Sequence, residues 1–250
     1  MPTTLGPLAA DVTTPEAEKF TAPLLLLHGL WDRAPAWRRF AGYLAHRGWH
    51  CIALERRGDA ADLAAQVADL RAAIAALPAP PVIVGHDLGA LLALHCADAA
   101  RAVIALAPLV GPPIAAPPPV LLRAGTWLAR RRGAPLRAPR AARTVYPRRD
   151  LREPAALVQD VLAGRPPLPP PAVAVPRAVF AVEDDDLIPA ASARVLAHQI
   201  GAELHLVAGT RHAVLTVAGW ESCVAAVHRW IIQRLGVDLL AMYEEAMQPE

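Results

Sequence analysis

Val82-Ile83-Val84-Gly85-His86-Asp87-Leu88-Gly89-Ala90 is the stretch on which the fold turns. Three β-branched or aliphatic residues run into a Gly-x-Asp-x-Gly turn, and Ala90 to Ala97 then has the composition of a helix. A buried strand that feeds straight into a helix is the building unit of a parallel sheet. At so tight a turn the central residue is forced into strained backbone geometry, and side chains two positions to either side would collide. Gly85 and Gly89 remove that collision. The turn aims Asp87 away from the sheet, at the helix N-terminus, where free N–H groups and the helix dipole favour an anion. Asp87 is therefore expected to be ionised at neutral pH, as a carboxylate nucleophile must be. The alternative reading is an aspartate that caps the helix beginning at Leu88.

The same rhythm extends outward. Leu24 to Leu27 is a short apolar run between Pro23 and His28-Gly29, and Trp49 to Leu54 and Val103 to Leu106 are further strands. Between them lie helices predicted over about Trp37 to Arg47, with Trp37, Phe40, Ala41 and Leu44 on one face, and over Ala60 to Leu77, with Leu63, Val67, Leu70 and Ile74 on one face. After a break the alternation resumes: strand Ala178 to Val182, helix Ala190 to Ile200, strand Glu203 to Val207 and a final helix Trp220 to Leu235, with a helical tail from Val237 to Met247. Strands apolar throughout and alternating with helices call for an α/β fold, a mostly parallel sheet covered on both faces.

The break runs from 111 to 171. It holds Pro117-Pro118-Pro119 and a second proline-rich stretch, Pro167 to Pro171, separated by helices expected over Val120 to Arg132 and Glu153 to Leu162. This reads as a lid inserted into a core made of residues 1–110 and 172–250. From Gly111 to Arg165 there are eleven arginines against three acids, a local balance of +8 that leaves −6 for the rest of a chain whose total is +2. That asymmetry shapes the field over the crevice. One reading is attraction of an anionic small-molecule substrate, or of one carried on coenzyme A or a carrier protein. The other is a solvated basic lid in a chain whose Ala, Pro and Arg content is that of a GC-rich coding sequence.

Other bulk properties narrow the classes. A length of 250 residues suits one domain of this kind. The small net charge gives no reason to invoke nucleic acid, and no segment supplies a signal peptide or about 18 uninterrupted apolar residues for a membrane span. Cys51, Cys96 and Cys223 are odd in number and lack metal-type spacing, so they read as reduced core residues of a cytoplasmic protein. No metal or organic cofactor is expected, because no ligand cluster or Gly-rich phosphate loop occurs. Nothing in the pattern specifies an oligomeric state.

Three further groups belong with Asp87. The strand ending at Val182 carries Glu183-Asp184-Asp185-Asp186 at its C-terminal end, the end that lines the crevice of an open α/β sheet. Such an acid does chemistry only by reaching a histidine; Asp185 is the choice, with Asp184 or Asp186 as alternatives. His212 lies in a loop between the last strand and the last helix. His28-Gly29-Leu30-Trp31 follows the first long apolar strand, and backbone N–H groups of Leu30 and Leu88 would form an oxyanion hole. Trp31 either walls a pocket or packs in the core. His86, Trp127 and Tyr146 are the other pocket candidates.

LLLLHGLW, ALERRG, VIVGHDLGA, EDDDLIP and GTRHAVL together resemble bacterial α/β-hydrolases over nearly the whole chain. The resemblance implies the α/β-hydrolase fold, a triad in the order nucleophile, acid, histidine, and an Asp-x-x-x-Pro spacing that selects Asp185, four before Pro189. GHDLGA is similar to the elbow of epoxide hydrolases and dehalogenases, which use an aspartate nucleophile. That similarity implies attack by Asp87 on an sp³ carbon, an ester with the enzyme, and its hydrolysis by water that His212 activates while Asp185 orients the ring. The chain departs from that pattern in three places. Trp31 stands where epoxide hydrolases usually have proline in His-Gly-x-Pro. Tyr146 is the one tyrosine in the lid, where those enzymes use lid tyrosines as acids. Leu88 stands where haloalkane dehalogenases have Trp and fluoroacetate dehalogenases Arg. Two other readings remain: an esterase- or thioesterase-like enzyme with Asp87 in place of serine, as base or nucleophile, and a binding protein that kept the fold without the reaction.

Overall fold

The computed structural model describes residues 3–58, 62–111, 114, 120–138, 150–165, 168 and 175–246. Along the chain come β1 (Thr3–Leu5), β2 (Leu8–Thr13), β3 (Leu24–Leu27), α1 (Arg38–Ala45), β4 (Cys51–Glu55), α2 (Leu63–Ala75), β5 (Val82–His86), α3 (Leu88–His95) and β6 (Ala102–Leu106). Then follow α4 (Val120–Arg131), β7 (Leu136–Arg137), β8 (Arg152–Glu153), α5 (Ala155–Leu162), β9 (Arg177–Val182), α6 (Ala190–Ile200), β10 (Glu203–Val207) and α7 (Trp220–Ala246).

Eight strands form one sheet in the order β1-β2-β4-β3-β5-β6-β9-β10. From β4 to β10 every neighbour is parallel, whereas β2 pairs antiparallel with both β1 and β4. The β1–β2 hairpin was not foreseen in the sequence. It is an edge, its residues mostly half-buried or exposed, so it lacks the apolar run that announces the central strands.

The pleat divides those uniform runs between two cores. Leu25, Leu27, Ile83, Val103 and Val179 face one way, where α2 supplies Leu63, Leu70 and Ile74 and α6 supplies Leu196 and Ile200. Leu24, Leu26, Val82, Val84, Ile104 and Phe180 face the other, where α1 supplies Phe40 and Leu44 and α7 supplies Val224, Val227 and Ile231. Phe40 and Leu44 are fully buried, and truncating either to alanine is expected to cost about 2–5 kcal/mol. Cys51, Cys96 and Cys223 are free thiols buried in these cores.

The segment between β6 and β9 adds no strand to the large sheet among the described residues. In it α4 lies against α5, and β7 and β8 make a two-residue antiparallel ribbon with Leu136 opposite Glu153. Leu157, Val158 and Val161 of α5 join the same core, and α5 lies against α2. Several boundaries shift by one to three residues, as in α2, found at Leu63–Ala75 where Ala60 to Leu77 was expected. Glu153 belongs to β8, and α5 starts after Pro154, whose fixed φ suits the entry to a helix. The last helix and its tail are one element of 27 residues; Gly236 sits inside it at the modest cost of about 1 kcal/mol relative to alanine. No helix among the described residues is long and apolar enough to cross a membrane.

The order matters for function at β3. This strand lies between β4 and β5, so the chain leaves it in one direction and returns to its other side. Ligands in open α/β sheets bind outside the strand carboxyl ends at such a reversal. There His28-Gly29-Leu30 emerges from β3 and Asp87 from β5.

Candidate active site

Asp87 joins β5 to α3 with φ 53° and ψ −118°. A non-glycine residue in that region costs on the order of 1–3 kcal/mol and persists where its surroundings fix it. Here the N–H donates to Leu106 O at 3.1 Å, and the carbonyl accepts from Ala90 N at 3.2 Å and Leu109 N at 3.1 Å. A Cβ on Gly85 would strike the Gly89 carbonyl, and one on Gly89 would strike the Leu27 carbonyl. Both flanking glycines are thus required, as the sequence implied. The Asp87 side chain makes no capping hydrogen bond to α3, so the cap reading does not describe it.

The carboxylate is wholly buried. Its Oδ2 accepts from the N–H of Leu30 at 2.8 Å, across the gap between β3 and β5. Its Oδ1 lies 3.7 Å from His212 Nε2. Gly29 is needed for this approach, since a Cβ there would run into the Asp87 carboxylate. Leu88, the other backbone donor expected, is the first residue of α3 and is buried.

On its far side the His212 ring meets Asp185, with Nδ1 2.8 Å from Oδ2 and 3.0 Å from Oδ1. Asp185 is fixed in turn by the N–H groups of Leu187 and Ile188, at 2.7 and 2.8 Å from Oδ1. The three aspartates of the run therefore separate. Asp184 is exposed, and Asp186 is exposed and paired with Arg211 at 2.8 Å, whereas the Asp185 side chain is buried on the imidazole. His86 donates from Nε2 to the carbonyl of His212 at 2.8 Å, a tautomer assigned from its acceptor. It holds the backbone of the His212 loop. Burial first, then the charge of His212, lowers its pKa to about 4, so it is neutral.

Electrostatics set the resting protonation. Burial acts to raise the pKa of Asp87, but the neighbouring His212 ring, by its proton and its charge, outweighs it and brings the value below the ordinary carboxylate one. Burial likewise acts to lower the pKa of His212; the hydrogen bond to Asp185 and the nearby Asp87, with the two carboxylate charges, overcome it and bring the value to about 9. At neutral pH Asp87 is therefore a carboxylate and His212 an imidazolium.

The remaining candidates divide. Trp31 is buried, with positive φ of 48°. It packs in the core, and it also reaches the segment between β6 and β9: its N–H donates to Glu153 Oε1 at 2.8 Å and its Nε1 to Leu136 O at 3.0 Å. Trp127, expected to line a pocket, is 47% exposed on α4 with the Arg131 guanidinium 4.2 Å over its ring. An amphipathic helix puts one face in solvent, and the period alone did not reveal which. Tyr146 lies outside the described residues. Two residues escaped the sequence reading: Arg56 and Glu153 form a buried ion pair at 2.7 Å beside the Leu30 peptide. They stand 97 positions apart, and no local pattern couples them.

The alpha/beta hydrolase family profile matches residues 24–226. No curated protein matches the sequence. Among solved structures, the chain is similar to a monoacylglycerol lipase of Paleococcus ferrophilus, with TM-score 0.73 and 18% identity over 90% of this chain and 98% of that one. It is also similar to E-2-(acetamidomethylene)succinate hydrolase, with TM-score 0.66 and 19% identity over 92% and 98%. A thioesterase domain from the curacin biosynthetic pathway gives TM-score 0.65 and 16% identity over 91% and 98%. At such identities the likeness is one of fold, and the α/β-hydrolase architecture expected from the sequence is the one found.

Proposed function

Given that the chain belongs to the alpha/beta hydrolase family, and is a hydrolase by that membership, we propose that it acts through a covalent ester at Asp87. The observation that carries the reading is the division of labour between the two oxygens of one buried carboxylate. Oδ2 is held by the Leu30 N–H at 2.8 Å, while Oδ1 faces His212 Nε2 at 3.7 Å. Asp87 Oδ1 attacks an sp³ carbon; the carbon's bond to its leaving atom breaks, and the electron pair departs with that atom. Ester formation removes the Asp87 charge, and with it much of what keeps His212 protonated. The ring's proton passes to the product oxygen or to water. The neutral imidazole then takes a proton from a second water as its oxygen bonds to Cγ, and Oδ2 carries the negative charge against the Leu30 N–H; on collapse the bond from Cγ to the alkyl oxygen breaks, that oxygen leaves as the alcohol with the ring's proton, and the new carboxylic acid returns a proton to His212. Asp185 keeps Nδ1 protonated, so Nε2 is the nitrogen that exchanges the proton.

Of the two substrate classes with this chemistry, an epoxide fits better than an alkyl halide. The epoxide oxygen needs a proton, and His212 holds one in the resting state. A halide needs donors around it; the side chain of Leu88 has none, and the Trp31 indole N–H is bonded to Leu136 O at 3.0 Å. Attack of a carboxylate on an ester carbonyl gives a reactive anhydride, which argues against the esterase reading. The inserted segment serves as the lid, residues 111–171 in this reading.

The test is to trap the ester. Incubate the unmodified protein, which keeps the proton an epoxide needs, and His212→Gln with a panel of epoxides, alkyl halides and esters, stop single turnovers in acid, and weigh the peptide containing Asp87. Added mass equal to the epoxide is expected. Ester turnover by the unmodified protein, lost in Asp87→Asn and with no adduct from any panel member, would replace the proposal with base catalysis. Binding without turnover would leave a receptor.

A further inference from the structure

The peptide joining Gly29 to Leu30 is gripped on both sides. Its N–H donates to Asp87 Oδ2 at 2.8 Å. Its carbonyl oxygen accepts from Arg56 Nη2 at 2.8 Å and from His28 Nδ1 at 2.9 Å. The next N–H, on Trp31, donates to Glu153 Oε1 at 2.8 Å, and the same oxygen accepts from Arg56 Nη2 at 2.7 Å. A closed circuit results: Gly29 carbonyl, Arg56, Glu153, Trp31 N–H. Both charged side chains are buried, at 5% and 6% exposure. Three members come from the ends of β3 and β4. Glu153 comes from β8, opposite Leu136 on β7, whose carbonyl holds the Trp31 indole. Trp31 keeps its positive φ inside this circuit.

A buried ion pair adds little to stability compared with a well-packed apolar pair, so stability alone is a weak reason for one here. Its location offers a better one. A cation on a peptide carbonyl polarises that peptide and makes its N–H a stronger donor, and this N–H is the one on the Asp87 carboxylate. We propose that Arg56 and Glu153 are positioning residues: they aim and polarise the Leu30 N–H, so that it holds the charge that develops on Oδ2 when water attacks the ester. The inserted segment is then part of the oxyanion site rather than only a cover over it. This inference rests on the ester reading for its catalytic part. The geometric part stands by itself.

The two steps of the reaction respond differently. Alkylation disperses charge already present on Asp87, whereas hydrolysis concentrates it on Oδ2. Loosening the Leu30 N–H should therefore slow hydrolysis of the ester more than its formation. Two variants test this. Glu153→Gln keeps an acceptor for Trp31 and removes the charge. Arg56→Met with Glu153→Leu removes both charges together, so that neither is left buried and unpaired. The first readout is the Leu30 amide proton in a two-dimensional ¹⁵N spectrum of the whole protein, with Asp87→Asn as the reference for a weakened bond. The second is single-turnover formation and decay of the Asp87 adduct, with styrene oxide as probe. In Arg56→Met with Glu153→Leu, which loses the cation on the Gly29 carbonyl, the Leu30 resonance is expected to move upfield toward its position in Asp87→Asn; in Glu153→Gln, which leaves that cation uncompensated, it is expected to move downfield. Adduct decay in the double variant should slow by about tenfold or more, since loss of a whole oxyanion donor costs about 10²–10³, with formation changed much less. A Leu30 resonance unmoved in the double variant overturns the proposal. So does a moved resonance with unchanged adduct decay. If styrene oxide and the rest of the panel leave no adduct on Asp87, the ester reading fails, and the amide resonance still decides whether the pair aims this N–H.

Discussion

Asp87→Asn should convert His212 from a cation into a neutral base without moving it. Asparagine keeps the size of the side chain and an oxygen for the Leu30 N–H, and removes one charge 3.7 Å from His212 Nε2. At an effective dielectric constant of about 20, a unit charge at that distance is worth about 4 kcal/mol, equivalent to about three pH units of imidazolium stabilisation. That is the upper end of the range of about one to three that a neighbouring opposite charge supplies. The His212 pKa should therefore fall from about 9 to near or below its ordinary value, because burial remains and Asp185 alone opposes it. The assay is heteronuclear NMR of the imidazole nitrogens over about pH 5 to 11, in the unmodified protein and in Asp87→Asn. Esterification of Asp87 removes the same charge, so this titration measures the switch the second step needs. If the ring in Asp87→Asn still titrates near 9, the Asp87 charge does not govern it, and the reasoning behind the two-step mechanism is refuted.

Three more outcomes follow from the same geometry. The folded-state pKa of His212 lies above its ordinary value, so the stability it contributes is fully present below about pH 6.5 and is lost as pH rises through about 9; the urea midpoint should drop across that window, and less so in His212→Gln. Asp185→Asn should lower turnover by about 10²–10⁴, whereas Asp186→Asn, which loses only an exposed pair with Arg211, should stay within about twofold; equal losses would mean the wrong acid has been assigned. Gly89→Ala drives a Cβ into the Leu27 carbonyl, and since backbone cannot swing aside as a side chain does, the denaturation midpoint should fall by an amount equal to about 1–3 kcal/mol.

The amino-acid sequence by itself determined the alternation of strands and helices, because each element writes its own period into neighbouring residues. Leu24–Leu27, Ala190–Ile200 and Glu203–Val207 are found with the bounds expected of them. It also determined the elbow, since the strain at Asp87 and the glycines that permit it lie within five residues. The acid run near Pro189 was legible as a group, and the Asp-x-x-x-Pro spacing implied by the resemblance pointed to Asp185; packing adds the physical reason, since Asp185 is buried on His212 while Asp184 and Asp186 lie in solvent. Tertiary structure alone decided three further points. The hairpin β1–β2 gains its place from pairing with β4. Trp127 faces water although its helix has an apolar face. Arg56 and Glu153 meet beside the Leu30 peptide. The bonds that build the site span 57, 97 and 122 positions, and the choice of partner at such separations is made by the sheet and the segment between β6 and β9, not by any spacing along the chain.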